Sequence, residues 1–153
     1  MVHKFISPTP IGDRMKPREK AHDVFVKSWE YMVMRFDGHC FSTFTRGFQK
    51  PFDDVLTDAM QQTMCDCVDK FTATLGYFQS DEITLVFTPL CTEKEYQDAP
   101  DDKVPVRSFN GRKDKIITLI ASYISVRFNF HIMNGVNANK DKYTDQFVEK
   151  INR

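Results

Sequence analysis

The chain has 153 residues, enough for one domain with a sizeable core. Hydrophobic residues make up 41% and charged residues 27%, and 21 basic side chains balance 21 acidic ones, which excludes any global electrostatic claim on nucleic acid and leaves only a local basic patch to serve one. Four scattered histidines and four cysteines (Cys40, Cys65, Cys67, Cys91) with no CxxC pair argue against zinc and for reduced thiols in a cytoplasmic protein, an organellar location staying open.

Residues 1–22 hold three prolines and several charges, and predict an irregular N-terminal arm ahead of a catalytic domain over 23–153. This arm lacks the apolar region of a signal peptide, and no apolar run approaches membrane-spanning length. Residues 23–30 read as a short helix with Val24, Phe25 and Trp29 on one side. Tyr31 to Phe36 reads as a buried strand stopped by Asp37-Gly38. A long helix over about 52–75 follows, its stripe formed by Val55, Leu56, Ala59, Met60, Met64, Cys67, Val68 and Phe71, with Phe52 and Leu75 at its ends. Pro51 suits its first turn, Asp53 and Asp54 its positive N-terminus, and Gly76 its stop.

The stretch GYFQSDEITLVF, Gly76 to Phe87, predicts two short strands around Ser80-Asp81-Glu82. Residues 88–111, with their prolines and acidic run, predict an exposed loop. A second helix is expected over about 112–129, with Ile116, Ile120, Tyr123, Ile124 and Phe128 inward. Asn134-Gly135 reads as a turn, and Tyr143, Phe147, Val148 and Ile151 as the apolar side of a last amphipathic segment.

Strand, helix, hairpin, helix is a βαββα order. It predicts an α+β domain with one antiparallel sheet and its helices on one face. Such a sheet brings Asp37, at the end of the first strand, to the Asp81-Glu82 hairpin turn. Carboxylates gathered there repel one another unless protonated or neutralised by cations. With no His or Cys cluster beside them, the hard oxygen ligands favour Mg²⁺ or Mn²⁺, two of which are a standard device for nucleotidyl transfer. Polar turn chemistry is the alternative reading of the same residues.

The blocks MRFDGHCFSTFTRGFQKPFD, GYFQSDEITLVF and GRKDKIITLIAS resemble, in wording, order and spacing, the tRNA-histidine guanylyltransferase superfamily. IGDRMK, Ile11 to Lys16, looks like the start of its guanylyltransferase-like branch, and the likeness covers about residues 11–130. The resemblance implies a palm fold similar to polymerases and nucleotidyl cyclases. It also implies a metal-dependent 3′–5′ nucleotidyltransferase that adds nucleotides to the 5′ end of tRNA, either as 5′-end repair or as guanylate addition to tRNA-His. ATP and GTP would be substrates, two Mg²⁺ ions the cofactors, tRNA the partner and a homotetramer the assembly. By motif, Asp37 and Asp81 would be catalytic metal ligands through their side chains and Gly38 through its carbonyl. Glu82 would be a further catalytic acid, and Lys50, Ser80, Arg112 and Lys115 would bind nucleotide. His39 stands where the family more often has Arg or Lys.

Members of that family continue into a further palm strand and a helical HINNLYN-type motif, for which residues 131–153 offer no counterpart. The chain is then the N-terminal palm portion of a longer polypeptide, or a shortened form. A cyclase-like palm enzyme, or a truncated palm that binds nucleotide or RNA without turnover, is the alternative.

Overall fold

The computed structural model describes residues 9–101 and 103–152. In chain order they form α1 (Ile11–Lys20), β1 (Met32–Asp37), a one-turn α2 (Phe41–Phe44), α3 (Asp54–Phe71), β2 (Leu75–Gln79), β3 (Glu82–Phe87), α4 (Glu93–Asp98), α5 (Lys113–Ala138) and α6 (Asp145–Ile151). The three strands make one antiparallel sheet in the order β1-β3-β2. Its register sets Met32 opposite Phe87 at one end and Asp37 opposite Glu82 at the other.

Alternation assigns the two faces of the sheet. Met32, Met34, Ile83, Leu85 and Phe87 are buried beneath α3 and α5, together with Met60, Cys67, Ile116 and Ile120. Val33, Leu75 and Tyr77 stay exposed on the opposite side, so the helices do lie on one face. A second core joins the start of α3 to the end of α5 and α6, through Phe48, Val55, Ala59, Ile132, Val136, Phe147 and Ile151.

Several boundaries differ from the sequence reading. The arm is not irregular throughout: α1 is helical although none of its residues is buried, while residues 1–8 lie outside the described part. Residues 23–30 form no helix, because their backbone pairs elsewhere. Val26 N–H donates to Gly111 O at 2.8 Å, Lys113 N–H donates to Val24 O at 2.9 Å, and Phe25 bridges Arg112. Helix α3 is stopped by Thr72 in the left-handed conformation (φ 54°), and Gly76 lies inside β2. Phe52 and Leu75 accordingly fall outside it and are exposed.

The 88–111 segment contains α4, closed by a reciprocal cap in which Glu95 N–H donates to Thr92 Oγ1 and Thr92 N–H to Glu95 Oε2. Helix α5 runs straight through Asn134-Gly135. A Cβ at Gly135 would stand 2.7 Å from Val55 Cγ1, so the glycine permits close helix contact and makes no turn. At 26 residues and a mean hydropathy of 1.4 over its most apolar stretch, α5 is long and apolar enough to cross a membrane by length and composition, which the sequence reading had denied. Its interspersed Ser, Thr and Asn had hidden that length. In this fold it packs along α3.

One charged clamp fastens the two long helices. Asp66 Oδ2 on α3 accepts from Arg127 Nε and pairs with His131 Nε2, both at 2.6 Å and both on α5. Burial pushes the Asp66 carboxyl up, but the hydrogen bonds and charges of Arg127 and His131 outweigh it and hold the group below its ordinary value of 3.8.

A second carboxylate sets the start of α3. Asp53 is 5% exposed and accepts from the Val55, Leu56 and Gln49 N–H groups. Tyr143 Oη donates to both its oxygens, at 2.9 and 3.2 Å. Burial first, then the Asp53 bond and charge, raise the Tyr143 phenol far above its ordinary range, so it stays a donor.

Both features give measurable consequences. Because the Asp66 pKa is depressed in the folded state, its contribution is complete above pH 3.8 and fades as pH falls through the lower folded value. Asp66→Asn should therefore lower the urea midpoint at neutral pH and flatten its fall on acidification; a wild-type acid limb in the variant would show that the clamp is inert. Tyr143→Phe removes a donor to a buried charge and should cost about 1.5–3 kcal/mol. An unchanged urea midpoint would show that the backbone donors alone satisfy Asp53.

Candidate active site

The candidate site forms where β1 ends and the β2–β3 hairpin turns. Ser80 takes a positive φ of 54° to make that turn, and Gly38 N–H donates to Asp81 O at 3.1 Å, zipping the end of β1 onto the turn. This one bond holds Asp37, Gly38 and Asp81 together. A Cβ at Gly38 would meet the Phe41 ring at 2.6 Å and Asp81 Cβ at 3.1 Å, so only glycine fits this approach.

Asp37, Gly38 and Asp81 line one cavity of about 340 Å³, with His39, Phe41, Phe128 and Asn129. A neighbouring cavity of about 590 Å³ is lined by Lys50, Ser80, Asp81, Phe41, Gln49 and Asp53. Asp81 and Phe41 belong to both. The structure thus brings Asp37, Gly38, Asp81, Ser80 and Lys50 into two adjoining spaces.

Glu82 is placed differently. It faces Asp37 in the strand ladder but lines neither cavity, and its Oε2 pairs with Arg35 Nη1 at 3.4 Å. Arg112 and Lys115 do not join the site within this chain. They stand at the start of α5, whereas the α5 residues beside Asp37 are Ile124 to Asn129, more than two turns further on. Arg112 Nε lies 2.6 Å from Asp23 Oδ1, an ion pair rather than an aligned hydrogen bond, and Lys115 Nζ sits 5.9 Å above the Phe109 ring.

The sequence reading took Phe128 only as an inward residue of the second helix and passed over the rest of the walls. Phe41, Phe44, Phe48 and Phe128 form a continuous edge-to-face and tilted cluster behind Gly38. Lys150 of α6 clamps it from outside, donating to Phe44 O at 2.8 Å. The step of three from Phe41 to Phe44 and the step of four from Ser125 to Asn129 are the signals that could have exposed these walls. His39 lines the smaller cavity, with Nε2 3.3 Å from Cys40 Sγ.

Among the described residues, no three His, Cys, Asp or Glu side chains gather as a metal cage. Two carboxylates and a glycine carbonyl are nevertheless a fitting set for Mg²⁺, which commonly takes one or two carboxylates and completes its shell with water and substrate phosphates. The cavity of about 340 Å³ that these residues line has room for such a shell.

Comparison with known proteins identifies the family and the fold. The tRNAHis guanylyltransferase family model matches residues 12–151, beyond the last motif quoted above. The chain is 40% identical over 144 residues to the "Uncharacterized protein R259" of Acanthamoeba polyphaga mimivirus, covering 94% of this chain and 48% of that protein. Two solved structures of a bacterial tRNA(HIS) guanylyltransferase (Thg1)-like protein are similar. The complex with GTP has TM-score 0.67 and 32% identity, covering 80% of this chain and 52% of the other. The complex with ATP has TM-score 0.69 and 30% identity, covering 88% and 53%. The chain spans about half the length of these relatives, and its mixed helices and small antiparallel sheet are their palm fold. With the family model matched over most of its length, the chain belongs to the tRNAHis guanylyltransferase family.

Proposed function

We propose that this chain carries the nucleotidyl-transfer centre of a metal-dependent 3′–5′ nucleotidyltransferase that adds nucleotides to the 5′ end of tRNA. The observation that carries the reading is the pair of adjoining cavities that share Asp81, one holding Asp37 and Gly38, the other Lys50 and Ser80. The similar structures with GTP and ATP support a nucleoside triphosphate as the occupant. When bound, Mg²⁺ would supply Lewis-acid stabilisation of charge on the transferring phosphate, held by the Asp37 and Asp81 carboxylates and the Gly38 carbonyl.

The chain's own residues do the rest. Lys50 contributes a cation to the triphosphate, and Ser80 a hydroxyl beside it. The Phe41 ring stands between the nucleotide space and the cavity beside Asp37, giving each an apolar wall. Arg35 neutralises Glu82, which leaves Asp37 and Asp81 as the unpaired acids of this end. Synthesis in the 3′–5′ direction places the activated phosphate on the RNA and the attacking hydroxyl on the nucleotide. The carboxylates serve either direction equally, so direction rests on the family likeness and on how the RNA enters. Arg112 and Lys115 are left with the structural contacts described above.

A second reading is a palm that binds nucleotide without turnover, favoured by the chain spanning about half of its relatives. The test uses a tRNA with a blocked 3′ end and an activated 5′ end, with labelled nucleotides and Mg²⁺. Growth at the 5′ end is expected, and Asp37→Asn or Asp81→Asn should slow it by at least about a hundredfold with the urea midpoint retained. Activity close to wild type in either variant would overturn the assignment. Nucleotide binding without growth would favour the second reading, and cyclic nucleotide made without RNA a cyclase.

A further inference from the structure

Where Met32 faces Phe87, far from Asp37 in the register, a cavity of about 870 Å³ opens between the end of α3, the strand ends and the start of α5. That volume is within the range of small-ligand sites. Among the described residues its lining includes two cations, Lys70 and Arg107, and no carboxylate, although the chain as a whole is neutral.

Arg107 is 8% exposed and, among the described residues, makes no ion pair, although the charge of Glu30 acts on it from nearby. Its Nε donates to Lys27 O, and its Nη2 to Glu30 O and Thr88 O. The Glu30 carboxylate is turned instead to the Lys27 N–H. Among the described residues Nη1 finds no hydrogen-bond acceptor, so the guanidinium, held by three carbonyls and by the nearby charge of Glu30, keeps one edge for a ligand. A buried charge of this kind gains strongly from an anion.

The remaining walls select what carries that anion. Phe71, Phe87 and Phe109 line the cavity, with the hydroxyls of Thr72 and Ser108 between them. Phe109 and Asn110 both hold left-handed backbone (φ 53° and 59°), a conformation that most side chains avoid, and it leaves the Phe109 ring half exposed beneath the Lys115 ammonium. Aromatic faces, scattered hydroxyls and a cationic lining together suit a planar polar heterocycle bearing a phosphate.

We propose that this cavity is a second site, separate from the Asp37–Asp81 centre, that binds a nucleoside monophosphate. The phosphate meets Arg107 and Lys70, and the base lies against the phenylalanines. The site is independent of the proposed nucleotidyl transfer, and its occupancy needs no metal.

The test is an NMR titration of the full chain with AMP in EDTA, which removes any metal-dependent binding elsewhere. Shifts should gather at Ala73, Thr74, Thr88, Ser108 and Leu119. Adenosine and inorganic phosphate should each bind at least about tenfold more weakly, since each lacks half of the recognition. Arg107 substitutions risk the fold, so Lys70→Gln and the rim change Leu119→Trp serve as variants. Both should weaken AMP binding at least about threefold without moving the urea midpoint, while Asp37→Asn should leave it unchanged. Shifts confined to Lys50 and Gln79–Asp81, equal affinity for adenosine, or rim signals that move only with protein concentration would each overturn the site. The last would mark the rim as a contact between copies.

Discussion

The buried carboxylate of Asp53 is the constraint on which most of this architecture depends. A charge at 5% exposure survives only if its donors are complete, and the donors come from the preceding loop at Gln49, from the first turn of α3 and, 90 positions along the chain, from Tyr143. Satisfying one side chain therefore fixes the helix start, the loop that carries Lys50 and the docking of residues 140–151. Lys150 repeats the arrangement from the other side, binding the carbonyls that end α2. The segment between Gly38 and Asp53 holds little regular structure, yet it is restrained at both ends and along its aromatic face.

The sheet then divides the labour. Its inner face is a continuous apolar surface for α3 and α5, and the clamp of Asp66 with Arg127 and His131 locks those helices in register. The two ends of the sheet differ in charge. One end gathers acids and the other gathers cations, a separation that the zero net charge conceals. The antiparallel order makes this possible, since Asp37 ends one strand while Glu82 begins its neighbour.

Much of this was legible in the sequence. The stripe from Val55 to Phe71, the alternation in ITLVF and the Asp-Gly stop after MRF gave the element order, the buried face and the meeting of Asp37 with Asp81. What failed did so for identifiable reasons. Glycine was read as punctuation, but Gly76 and Gly135 lie inside a strand and a helix, where they permit close packing, and the stop of α3 is made by Thr72, whose left-handed backbone no propensity announces. The 23–30 segment has helical spacing but pairs with residues 111–113, a non-local bond that local pattern cannot reveal. Arg112 and Lys115 were assigned by motif, and motif order says nothing about which end of a helix reaches a site.

The placement of two adjacent acids at a hairpin tip also has a physical explanation. Asp81 and Glu82 are neighbours in sequence, but the turn at Ser80 and the pleat send them to different surroundings. Glu82 enters the ladder on the open face, opposite Asp37, where two like charges would repel. Arg35, two residues before Asp37 on the same face, pairs with Glu82 at 3.4 Å and offsets part of that repulsion. Asp81 stays in the turn, tied by its carbonyl to Gly38 and lining the same cavity as Asp37. One acid is thereby paired within the protein, and in the proposed function the other two would hold the cation. A two-carboxylate site needs both outcomes: a third unpaired charge would raise the cost of the empty site, and a second arginine would compete with the metal.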